Sequence, residues 1–112
     1  MRWWGVSTDT ALLGPGLVWG FLNHVMRNWR HYSYNVAHGG HVVISARHFH
    51  EYLRARGIEV ERRRATKLFT SYVLTLVYEL RVRGVVKEYW VEKGSRNKPL
   101  RVHMIISNAG GA

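Results

Sequence analysis

Residues 62–106, RRRATKLFTSYVLTLVYELRVRGVVKEYWVEKGSRNKPLRVHMII, decide the fold of this 112-residue chain. Ala65, Leu68, Phe69, Tyr72, Val73, Leu76, Val77 and Leu80 recur at helical spacing, so a rotation of about 100° per residue gathers them in one apolar sector. The opposite sector carries Arg63, Lys67, Thr70, Ser71, Leu74, Tyr78 and Arg81. Gly84 stops the helix. Residues 85–92 and 100–106 then alternate with period two, the second run setting Leu100, Val102, Met104 and Ile106 against Arg101, His103 and Ile105. The link between them is a polar turn bearing Lys93, Arg96 and Lys98. One long helix headed by Arg62, Arg63 and Arg64 therefore leads into a β-hairpin with a basic tip.

Ahead of this segment, His41-Val42-Val43-Ile44 is too short and too β-branched for a helix and reads as a strand. Ser45 is a good N-cap for a following helix whose buried stripe is Ala46, Phe49, Tyr52 and Leu53, with Gly57 as its C-terminal cap. Earlier still, Pro15 opens a helix. Val18, Phe21, Leu22, Val25, Trp29 and Tyr32 predict one amphipathic face running to about Tyr32. Residues 35–40 form a loop. Residues 1–14 read as an irregular arm, 15–107 as a single α+β domain and 108–112 as a small-residue tail. Trp29 and Trp90 are expected in the core, while Trp3 and Trp4 belong to the arm.

Composition narrows the class. Seventeen Lys+Arg against seven Asp+Glu give a formal charge of +10, and the surplus is clustered, which implies a polyanionic partner. Apolar residues at 46% and aromatics at 12% set the chain apart from a disordered composition. The absence of cysteine excludes disulfides, iron–sulfur clusters and cysteine-based zinc fingers. Seven histidines are present, but His48 and His50 point to different sides of a helix and the pair His38 and His41 has no neighbouring carboxylate, so no metal or other cofactor is expected. The scattered carboxylates form no acid/base pair and no nucleophile turn or phosphate loop occurs, so an enzyme is not expected. No apolar run reaches the ~18 residues of a membrane span, and the N-terminus lacks a secretory pattern, which makes an intracellular protein with no membrane partner the expectation. Missing glutamine and abundant arginine point to a thermophilic source.

The strand–cap step Val43-Ile44-Ser45, the helix ending Tyr52-Leu53-Arg54-Ala55-Arg56-Gly57 and the junction Leu80-Arg81-Val82-Arg83-Gly84-Val85-Val86-Lys87 resemble the winged helix-turn-helix superfamily over residues 15–107. Within it, the chain is similar to small transcription regulators of archaea and their viruses, and loosely to a small-subunit ribosomal protein of archaea and eukaryotes. The resemblance implies a three-helix core with a short strand and a C-terminal hairpin wing. It also implies that Arg62, Arg63 and Arg64 open the recognition helix and face the major groove. The third helix, at about 20 residues, is longer than that family's usual recognition helix, and the turn before it is longer too.

On this reading the partner is nucleic acid, DNA ahead of RNA, held by Arg62, Arg63 and Arg64, with Lys67, Thr70 and Ser71 further along the helix. Lys93, Arg96, Lys98 and Arg101 on the hairpin form the second contact, and Arg47, Arg54 and Arg56 brace phosphates. The competing local reading pairs Arg62–Arg64 with Glu59 and Glu61 as a solvated run, and treats the hairpin cations as an edge that discourages strand pairing. Leu74 and Tyr78 do not suit a groove and are expected either to pack under the first helix or to form a protein contact, a homodimer included. The alternatives to a DNA regulator or architectural protein are a ribosome-associated RNA binder of the same fold and a protein–protein adaptor.

Overall fold

A computed structural model of the chain describes residues 12–34, 40–96 and 99–107. The predicted arm up to residue 11, the loop 35–39, the wing residue Lys98 and the tail from residue 108 lie outside the described residues. Three helices, α1 (Leu17–Arg27), α2 (Ala46–Ala55) and α3 (Arg62–Val82), pack on a sheet of β1 (His41–Ser45), β2 (Val86–Glu92) and β3 (Arg101–Ile106). The sheet is antiparallel throughout, with β3 central in the order β1-β3-β2. The class is α+β, as the sequence predicts.

One core joins all six elements. Val18, Phe21, Leu22 and Val25 of α1 meet Phe49 and Leu53 of α2, and Ala65, Phe69, Val73, Val77 and Leu80 of α3. Val42, Ile44, Val86, Val102 and Met104 close it from the sheet. Phe21 is the hub, edge-on to Phe49 at a centroid separation of 5.5 Å and to Phe69 at 6.3 Å. The apolar sector predicted for α3 is therefore the buried one; Leu68, Tyr72 and Leu76 are its half-buried margins.

α2 and α3 end in the same way. In each, glycine with positive φ (Gly57 at 75°, Gly84 at 82°) lets the chain reverse, a conformation that costs an L side chain strain. The next residue then bonds back across the turn, Ile58 N–H to the Leu53 carbonyl and Val85 N–H to the Leu80 carbonyl, both at 2.9 Å. At the start of α2, the Ser45 N–H donates to Nδ1 of His48 at 3.2 Å. Histidine here takes the place of the glutamate of a capping box.

Two predicted features are corrected. The first helix does not run to Tyr32: it stops at Arg27, and Trp29–Tyr32 form a separate tight turn. The chain leaves the helix at Asn28, whose φ/ψ of −123°/37° are non-helical and whose Nδ2 donates to the His24 carbonyl at 2.9 Å beside its own backbone N–H at 3.0 Å. Trp90 is not a core residue. A register irregularity between Val86 and Glu88 leaves Tyr89 and Val91 opposite Met104 and Val102 on the core side, so Trp90 falls on the outer face and is 41% exposed. Trp29 does pack partly against the core, with the Arg30 guanidinium over its ring. Before α1, residues 12–16 form an irregular turn kinked at Gly14.

Candidate nucleic-acid interface

The N-terminal end of α3 is left open to an anion by its own sequence. No side chain caps it, its N-cap is Glu61, and no acidic residue lies in the first turn. Three arginines share the first turn with its uncapped N–H groups and the positive end of the helix dipole, an arrangement that costs stability unless an anion intervenes. Arg62, Arg63 and Arg64 are all exposed, and among the described residues none forms an ion pair with Glu59 or Glu61. The described carboxylate–cation pairs are elsewhere: Arg47–Glu51 at 3.4 Å, Arg83–Glu79 at 3.1 Å, and Glu92 with Arg101 and His103.

Beside this helix start lies a cleft of about 390 Å³ walled by three elements far apart in the chain. Ala46 and Arg47 come from the start of α2; Arg62, Thr66, Phe69 and Thr70 come from α3; Ser95, Arg96, Pro99 and Leu100 come from the hairpin tip. Arg47, Arg62 and Arg96 thus converge on one concavity. Arginine's planar fork holds phosphate oxygens bidentately, and the hydroxyls of Thr70 and Ser95 are further donors. The Thr66 hydroxyl is engaged with the Arg62 carbonyl at 3.0 Å.

The other expected contacts divide by position. Arg63, Arg64, Lys67 and Ser71 are exposed on the side of α3 that also carries Leu74 and Tyr78, turned away from the cleft, and Lys93 stands exposed where β2 runs into the tip. Lys98 is outside the described residues. Arg54 borders a shallow depression with His50, Glu59, Glu61 and Arg62, where two carboxylates dilute its charge. The Arg56 guanidinium lies over the Tyr52 ring at 4.8 Å. Arg101 is the outlier: its Nη2 donates to Glu92 Oε2 at 2.6 Å on the outer face of the sheet. That bond raises the Arg101 pKa and holds the Glu92 carboxyl below its ordinary value, with a hydrogen bond from His103 as the second cause.

Arg101 and Glu92 belong to a polar chain that strand alternation alone does not reveal. Glu92 Oε1 accepts from His103 Nε2 at 2.9 Å, which leaves Nδ1 of a neutral His103 to accept from His41 Nε2 at 3.1 Å. Trp90 stacks on His103 with an interplanar angle of 11°, and Tyr34 packs edge-on to it. His103, expected to face solvent, is consequently only 5% exposed. Thr66 and Ser95 are the polar cleft residues that sequence reasoning missed; nothing in a single sequence marks a hydroxyl as lining a cleft between distant elements.

Among the described residues no group of three or more His, Cys, Asp or Glu is placed to hold a metal ion, and no helix is long and apolar enough to cross a membrane. Comparisons with family models, with curated proteins and with solved structures found no match to this chain.

Proposed function

We propose that this protein is a winged-helix nucleic-acid-binding domain whose partner is duplex DNA, in a regulatory or architectural role. The observation that carries the reading is the convergence of Arg47, Arg62 and Arg96 from α2, α3 and the hairpin tip on one cleft. The element order α1, β1, α2, α3, β2, β3 with β3 central supports it, since a helix–turn–helix followed by a hairpin presents helix and wing side by side. In that arrangement α3 would enter the major groove from its arginine-rich end. The cleft would seat a backbone phosphate between helix and wing, fixing the register of α3, while Arg63, Lys67 and Ser71 reach bases or neighbouring phosphates. The formal charge of +10 supplies attraction and a strong dependence on salt.

The test is affinity for duplex DNA, single strands and structured RNA across a salt series. Joint replacement of Arg62, Arg63 and Arg64 by alanine is expected to weaken duplex binding by at least roughly tenfold and to reduce the salt slope by ~3. Unchanged duplex affinity in that variant sinks the assignment of α3. Preference for structured RNA over duplex moves the partner to RNA, and a flat salt response ends the nucleic-acid reading.

A further inference from the structure

A second concentration of cations lies where α1 ends. Arg27, Asn28, Trp29, Arg30 and His31 wall a hollow of about 190 Å³ there, and Arg27, Arg30 and His31 are exposed. Arg30 lies over the Trp29 ring at 4.9 Å, and Arg56, from the end of α2, lies over Tyr52 at 4.8 Å. His24 joins the two groups, its ring 5.1 Å from that of Tyr52 and its carbonyl bonded to Asn28. Burial first, and then Arg56, Arg27 and His31, hold the His24 imidazole below its ordinary value, so the fields of these cations overlap at one point. Stacking on a ring orders a guanidinium without using its N–H donors. Among the described residues, no hydrogen bond or ion pair engages the guanidinium of Arg27, Arg30 or Arg56. The carbonyl ends of α1 and α2 offer Arg27 and Arg56 about half a charge each, which neutralises neither, and Arg30 lies beyond both helices.

We propose, building on the reading of duplex binding at α3 and the hairpin, that this patch takes the backbone phosphates of a second duplex segment, so that one molecule bridges two. Arg47 in the cleft and Arg56 in the patch are separated by about 14 Å along α2 and by about half a turn round it. A straight duplex seated between α3 and the hairpin therefore does not reach the patch. No carboxylate lines the hollow, and Arg30 covers Trp29, so there is room for a phosphate but no apolar slot for a peptide side chain. Contacts of this kind hold the repeated backbone charge and read no base edge, so the second segment is bound without regard to its sequence.

Capture of a fluorescent duplex by a biotinylated duplex on beads, with the protein as the only link, reads bridging directly. The unaltered protein is expected to capture the second duplex. Arg27→Ala combined with Arg30→Ala should lower capture at least ~5-fold while affinity for a single short duplex stays within ~2-fold, which also shows that the variant is folded. Arg81→Ala combined with Lys87→Ala removes the same charge from exposed positions outside both the patch and the cleft, and should leave capture intact. Protein that is retained on the bead duplex yet captures no second one overturns the bridge and leaves duplex binding at α3 standing. Capture by the Arg27 and Arg30 variant equal to that of the unaltered protein, as a link through protein dimers would give, overturns it too. So does an equal loss in the Arg81 and Lys87 control, which would assign the effect to bulk charge. Unaltered protein that is not retained on the bead duplex ends the duplex reading and the bridge together.

Discussion

His48 makes the start of α2 sensitive to acid. Its Nδ1 must be unprotonated to accept the Ser45 N–H, and burial holds the imidazole below its ordinary value of 6.5, with Arg47 adding to the effect and Glu51 opposing it. His24 is lowered too, first by burial and then by Arg56, Arg27 and His31. For both groups the folded pKa lies below the unfolded one, so on acidification the unfolded chain takes up protons first. Their contribution is complete above about pH 6.5 and is lost as pH falls through the folded values. The urea midpoint is therefore expected to drop between about pH 7.5 and 5.5, and His48→Gln, which can still accept the Ser45 N–H, should flatten that drop. Glu92 behaves separately: its lowered pKa keeps it ionised through this window, and its contribution disappears only as pH falls below 4.5 through the folded value. At the helix ends, Gly57→Ala and Gly84→Ala meet no neighbouring atom but keep a positive φ, so each is expected to cost about 1–2 kcal/mol in chemical denaturation.

α3 has a buried face and an exposed one, and substitutions on the two should separate accordingly. Phe69 is 1% exposed and packs against Phe21 and Phe49, so Phe69→Ala should cost about 3–5 kcal/mol. Tyr78→Ser, on the exposed face, should change stability by less than about 0.5 kcal/mol. Denaturant titration of the two variants gives the comparison, and similar losses would mean that Tyr78 packs within the monomer. This helix was legible because every residue that defines it lies within five turns, where rotation alone sorts core from surface. The shorter elements were less so. α1 ends at Asn28 with the side-chain amide turned back onto the His24 carbonyl, and asparagine carries the same letter whether it turns back on a helix or points to water. Trp90 was misplaced because one irregular step near Val86 changes which alternate residues of β2 face inward.

Across the whole molecule, the cleft assembles residues separated by 49 positions, from Arg47 to Arg96. If it seats a phosphate, Arg47→Ala, Arg62→Ala and Arg96→Ala should each lower the salt slope of duplex binding by about 1, with similar losses on every duplex sequence. Arg101→Ala should change binding little, because its side chain is not part of the cleft and is held to Glu92 on the outer sheet face, and should instead loosen that face, seen as a lower urea midpoint. The sequence by itself determined the α+β class, the long third helix with its apolar sector, the glycine stops and the local clustering of cations. Those properties follow from short-range periodicity and backbone sterics, which act over a few residues. Only the tertiary structure decided which cations share a concavity, that Arg101 is committed to a carboxylate and that His103 is buried in a polar chain. Each of these depends on strand register and on packing between elements distant in the chain, and neither leaves a mark in local residue order.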